Sequence, residues 1–125
     1  LKRVDEALEP LALLEATAKA YLDFALDEQG YYEMMFLSSE QVTGLRKLNR
    51  EGLAEMQDTF ETLQRRVEKA MHAGLLKGDD SRTTAFGIWA YAHGQIALYF
   101  GGQSAMERAQ FVQTYQGLFA AYLRG

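Results

Sequence analysis

Phe86-Gly87-Ile88-Trp89-Ala90-Tyr91-Ala92-His93-Gly94-Gln95-Ile96-Ala97-Leu98-Tyr99-Phe100-Gly101 contains no Asp, Glu, Lys or Arg, and its reading decides the fold. At helical spacing it carries two apolar seams. Phe86, Ala90, His93, Ala97 and Phe100 follow one side, filled out by Trp89 and Ile96, and Gly87, Tyr91, Gly94, Leu98 and Gly101 follow another. A helix apolar nearly all round has to be covered nearly all round. Each glycine inside a helix costs about 1 kcal/mol relative to Ala, so Gly87, Gly94 and Gly101, spaced by seven, mark a seam where a neighbour packs very close.

Downstream, Phe111, Tyr115, Leu118 and Tyr122 share a seam of a last helix, with Val112, Phe119 and Leu123 beside it. Ser104 followed by Glu107 reads as a capping box opening that helix. Two consecutive helices thus show more apolar surface than one short chain covers. We therefore expect a two-fold homodimer in which both helices meet their copies as a four-helix bundle, the expected contact being Gly87, Tyr91, Gly94, Leu98, Phe111, Tyr115, Leu118 and Tyr122. Close packing inside one chain is the alternative reading of the glycine seam.

Upstream, Leu1, Val4 and Leu8 allow a short helix over Leu1 to Glu9, interrupted by Pro10, which suits the first turn of a new one. Leu11, Leu14, Ala18, Tyr21, Leu22 and Ala25 stripe a helix over about 11–28, with Gly30 as its expected C-terminal cap. Tyr31 to Leu37 reads as a helical turn or two tucked into the core, and Ser38 to Thr43 as a loop. From Leu45 to Gly74, apolar residues step by three and four while Glu51, Glu55, Asp58, Glu61, Arg65, Arg66, Glu68 and Lys69 are expected to keep the other side wet. This is an amphipathic helix, bent or broken near Asn49 to Gly52 and ended by Gly74. Asp80 or Ser81 is placed to cap the helix that follows. No period-two stretch appears. The fold class is all-α, a bundle of five to six helices in one domain over residues 1–125.

The bulk figures narrow the function. With 125 residues, 48% hydrophobic and 24% charged, the chain has an ordinary globular composition, and it has no Cys for a disulfide or thiolate metal site. No apolar run reaches the length of a membrane span and no signal peptide opens the chain, so a cytoplasmic setting and no membrane partner are expected. A net charge of −4 argues against these residues gripping a nucleic-acid backbone. The chain begins at Leu1 rather than Met, which leaves room for a preceding segment with an activity of its own. Neither a glycine-rich phosphate loop nor a nucleophile elbow is present, so no catalytic residue is expected and the chain reads as a non-enzyme. Glu68 and His72, the nearest approach to a metal-binding pair, lie on the wet face, and no metal is expected.

A separate interior, rich in Met and aromatic side chains, is expected within each subunit. Trp89, His93, Phe60, Met56, Met35 and Phe86 are the candidate contacts to a small hydrophobic molecule there. Each also has a plainer reading. His93 on an apolar face is either a core histidine satisfied by a hydroxyl or carbonyl, a ligand contact, or a haem ligand. Trp89, one turn earlier, is either core or pocket wall.

Trp89, His93 and Gly94 form a W-x-x-x-H-G pattern, which resembles the signature of one branch of the effector-binding half of TetR-type bacterial transcriptional regulators. Tyr32-Glu33-Met34-Met35-Phe36 is similar to that family's Y-x-x-M-F segment, and Ala73-Gly74 before Asp79-Asp80 to its approach to the penultimate helix. The resemblance implies a helical regulatory domain that dimerises through its last two helices and holds a small-molecule pocket between the others, with no cofactor. It also implies a preceding helix-turn-helix domain that binds a palindromic operator, with Leu1 to Glu9 as the remnant of the connecting helix, and ligand binding that shifts the two reading heads. A stand-alone bundle binding haem through His93 is the alternative.

Overall fold

A computed structural model describes residues 4–37, 50–78, 80–102 and 105–125, the side chains of 50–53 excepted. It is all helical, with no strand among the described residues. In chain order the helices are α1 (Pro10–Asp27), α2 (Gln29–Tyr32) running on into a π-helical turn (Glu33–Leu37), α3 (Arg50–His72), α4 (Ser81–Phe100) and α5 (Arg108–Arg124). The expected loop Ser38 to Thr43 and the expected break near Asn49 to Gly52 fall wholly or partly outside the described residues or side chains.

The punctuation follows local chemistry. Glu9 is extended, as a residue before proline prefers, and its carboxylate accepts from the Leu11 and Ala12 N–H groups at 3.0 and 3.1 Å. Gly74 ends α3 at φ 72°, its N–H bonding the Met71 carbonyl while the Leu75 N–H reaches back to Ala70, the paired bonds of a Schellman cap. Asp80 caps α4, accepting from the Arg82 N–H and the Thr83 hydroxyl.

Three local expectations need correction. Val4 to Glu9 forms a turn, not a helix: Asp5 accepts from Ala7 through its side chain and from Leu8 through its carbonyl, and Pro10 holds Glu9 out of the helical region. Gly30 lies inside α2 and does not cap α1, whose end is Glu28, its N–H bonding the Phe24 carbonyl. The last helix begins at Arg108, with Glu107 as an N-cap making no side-chain cap bond. Ala105, at φ 55°, cannot belong to a helix opening at Ser104, itself outside the described residues.

The architecture is organised around α1, not around the Phe86–Gly101 stretch. Leu11, Leu13, Leu14, Thr17, Ala18, Tyr21, Leu22, Ala25 and Leu26 are all buried, and α1 packs against α3, α4 and α5. On α4 only Ala85, Ile88, Ala92 and Ile96 are buried. At 100° per residue these lie opposite Gly94. A Cβ added at Gly94 would meet nothing within 4 Å, and one at Gly87 only the Tyr122 hydroxyl at 3.7 Å, so the glycine seam is open in the single chain.

α5 turns Phe111, Tyr115, Phe119 and Leu123 onto α1. Phe111 and Tyr115 therefore belong to the interior of one chain and not to the outer seam expected for them. Tyr115 donates a 2.6 Å hydrogen bond to the Ala18 carbonyl. Stacked pairs join α4 to α5, Tyr99 on Phe111 with centroids 4.2 Å apart and Tyr91 on Tyr122 at 4.6 Å. What remains outside is Phe86 (61% exposed), Leu98 (56%), Leu118 (41%) and Tyr122 (48%).

Candidate functional site

Three helices and the π-helical turn bring their aromatic and methionine side chains together beside α1. Tyr21 from α1, Met56 and Thr59 from α3 and Trp89 from α4 form a common wall. On one side lies a narrow apolar cleft with room for about one water-sized sphere, completed by Thr17, Ala18, Phe60, Leu63, Ile88 and Ala92. On the other lies a cavity of about 690 Å³, which adds Phe24, Tyr31, Met35 and Phe36 as apolar lining and Asp23, Asp27, Glu55, Asp58 and Thr62 as polar lining. The π-helical turn is what aims Met35 and Phe36 at this space, a use such turns often have at functional sites.

Behind the common wall runs a chain of hydrogen bonds. The Trp89 indole N–H donates to the Tyr21 hydroxyl at 3.0 Å; that hydroxyl lies 3.1 Å from the Tyr32 hydroxyl, itself 2.7 Å from His93 Nδ1. An indole can only donate, so the Tyr21 oxygen accepts. Between Tyr21 and Tyr32 either oxygen can donate, and Tyr32 meets His93 Nδ1 as donor or acceptor according to the imidazole tautomer, so the chain can run toward His93 or away from it. Burial lowers the His93 pKa below its usual value and raises those of Tyr21 and Tyr32, so each member stays uncharged near neutral pH.

Of the expected site residues, Met56, Phe60 and Trp89 line the cleft, and Met35, Met56 and Trp89 line the larger cavity. His93 lines neither; its ring sits behind the wall, 5.8 Å from the Tyr32 ring and 5.9 Å from that of Phe36. Phe86 is apart from both, on the outer surface with Arg82 and Thr83. Its position 80° from Gly94 around α4 puts it at the rim of the outward face. Glu68, spaced toward His72 like a metal pair, instead accepts from the Ser81 hydroxyl at 2.9 Å. Tyr21 and Tyr32 went unread as polar groups because their apolar bodies fit the helical stripe; the only signal in the sequence is that both carry a hydroxyl at buried positions.

Keeping His93 neutral has a measurable cost in acid. The unfolded chain takes up this proton as pH falls below about 6.5, while the folded chain resists until its lower pKa is reached. Stability is thus present in full above 6.5 and declines below it. Urea unfolding at pH 7 and pH 5.5 should show a decline in the parent chain that shrinks in His93→Gln; an equal decline in both would place the proton elsewhere.

The fold is a helical bundle with an aromatic cavity and an open small-residue face. The chain matches the family model for the tetracyclin repressor-like C-terminal domain over residues 14–122 and belongs to that family. Domains of this family are in general the ligand-binding and dimerisation parts of regulators, and not enzymes. No curated protein and no solved structure matches the chain significantly. No helix among the described residues is long and apolar enough to cross a membrane.

Proposed function

We propose that the chain is the effector-binding and dimerisation domain of a TetR-like transcriptional regulator working in the cytoplasm, whose small hydrophobic effector occupies the space walled by Tyr21, Met56 and Trp89. The observation that carries this reading is the 690 Å³ cavity with its aromatic and methionine lining, a size suited to a small organic molecule. Met35, Met56 and Trp89 then contact the effector directly, Phe60 does so from the narrow cleft, and His93 acts by holding the wall. The acidic charge of −4 leaves operator DNA to a preceding helix-turn-helix domain, whose grip the effector modulates by favouring one spacing of the paired domains.

The homodimer in this reading uses the outward face of α4 and α5: Gly87, Tyr91, Gly94 and Leu98 with Leu118 and Tyr122. Light scattering after gel filtration should give twice the 14.1 kDa chain mass. Gly94→Leu should give single chains with unchanged helical circular dichroism, because a Cβ there meets nothing within 4 Å in its own chain and the residue gains helix propensity. A parent chain that runs as a monomer at tens of micromolar, or a Gly94→Leu variant that stays dimeric, would remove this face from the reading.

A further inference from the structure

The hydrogen-bond chain behind the wall also fixes what the cavity can recognise. Tyr21 stands in the wall shared by both spaces, and its hydroxyl accepts from Trp89 and shares one hydrogen with Tyr32. Where that hydrogen is Tyr21's own, the hydroxyl keeps an acceptor position and no donor. That direction has an unprotonated His93 Nδ1 at its far end, accepting from Tyr32, which in turn accepts from Tyr21. Charge works in the same sense. The described lining of the larger cavity includes Asp23, Asp27, Glu55 and Asp58 and no Lys, Arg or His. Asp23 is paired with Lys19 at 2.7 Å and Asp27 with Arg108 at 3.6 Å, which softens the negative potential.

We propose that the Trp89–Tyr21–Tyr32–His93 chain sets Tyr21 as a one-way acceptor in the cavity wall, so that the site takes apolar molecules bearing a neutral O–H or N–H donor, phenols being the simplest, and discriminates against the matching ethers and carboxylates. This rests on the cavity being the effector site. Tyr21 is the specificity-determining contact; Tyr32 and His93 are positioning residues that act through it. An ether offers Tyr21 only a lone pair facing a lone pair, and a carboxylate adds its charge to an acidic rim.

Three probes of one shape test this: 4-pentylphenol, 4-pentylanisole and 4-pentylbenzoate, titrated into the purified chain by calorimetry and by quenching of Trp89, the only tryptophan. The phenol should bind about five- to tenfold tighter than the ether, the scale of one net hydrogen bond, and the benzoate weakest. Tyr21→Phe should close the gap between phenol and ether. Tyr32→Phe should do more: with its acceptor gone, the Tyr21 proton is free to turn to the ligand, so the ether gains on the phenol, a reversal that simple loosening of the wall does not produce. Phenol and ether binding alike in the parent chain, or a gap that survives Tyr21→Phe, overturns the proposal while leaving the cavity as the effector site. If none of the probes releases heat or quenches Trp89, the cavity reading falls and the proposal with it.

Discussion

Tyr115→Ala is expected to lower the unfolding free energy by about 4 kcal/mol, the cost of emptying a fully buried aromatic site. The ring has no exposed surface, packs between Phe111 and Phe119 on its own helix, and sits over α1 at the point where its hydroxyl reaches the Ala18 carbonyl. Removing the ring leaves a void between the two helices that cannot collapse, because Leu14, Leu22 and Phe119 are themselves fully buried. Tyr115→Phe keeps the ring and gives up only the hydrogen bond, so about 1 kcal/mol is expected. Denaturant unfolding followed by circular dichroism, at one fixed protein concentration so that association does not enter, separates the two. A loss below about 1.5 kcal/mol for Tyr115→Ala would mean that α5 docks on α1 chiefly through its other contacts. Burial also holds the Tyr115 hydroxyl above its ordinary pKa of 10. The unfolded chain therefore ionises first, and stability declines as pH rises past 10, less steeply in Tyr115→Phe.

The same residue shows how far the sequence reaches. Periodicity places every long helix, because a face that must be dry repeats every three to four residues whatever covers it. It does not say what covers it. Phe111 and Tyr115 share their stripe with Leu118 and Tyr122 to a reader of spacing, yet the first two are spent on α1 and the last two are left outside. The central position of α1 was equally hidden, since its stripe looks no wider than that of α3. Caps were legible where the chemistry is local, as at Pro10, Gly74 and Asp80. They failed where a neighbouring geometry intervenes: the Ser104 to Glu107 pattern is overridden by the backbone at Ala105, and Gly30 is absorbed into α2.

For the site, the apolar half was readable and the polar half was not. Met35, Met56, Phe60 and Trp89 stand out as large adaptable side chains at inward positions. The hydrogen-bond chain links residues that are 68 apart for Trp89 and Tyr21 and 61 apart for Tyr32 and His93, and nothing in local spacing announces such a pairing. His93 was singled out for its chemistry, and the structure assigns that chemistry to a partner within the chain.

Glu6→Ala should cost more stability than Arg66→Met, although both break the same ion pair. Arg66, expected on the wet side of α3, is instead 1% exposed and donates to Glu6 from Nε at 3.0 Å and Nη2 at 2.9 Å, and from Nη1 to the Thr17 hydroxyl at 2.9 Å. Deleting Glu6 takes away the carboxylate that Nε and Nη2 of this buried guanidinium bond, for which about 3 kcal/mol is expected, the low end of the range because Glu6 itself is 41% exposed. Arg66→Met removes the buried charge and refills the space, leaving Glu6 to Lys69, Arg65 and water, and should cost about 1 kcal/mol or less. The double variant should then be no worse than Arg66→Met alone, a coupling that denaturant unfolding of the four chains measures directly. If the two single losses simply add, the pair is not the unit described. Acid provides an independent check. The Arg66 hydrogen bonds, then that from Lys69, hold the Glu6 carboxyl down to about 2 from 4.5. Its contribution is present in full above 4.5 and lost as pH falls toward 2, since only the unfolded chain takes up the proton in that window. Glu6→Gln has no proton to gain, so its stability should fall less steeply than that of the parent chain between those limits. High salt should weaken the Lys69 and Arg65 contacts, which are open to solvent, while leaving the bonds from Arg66 largely in place.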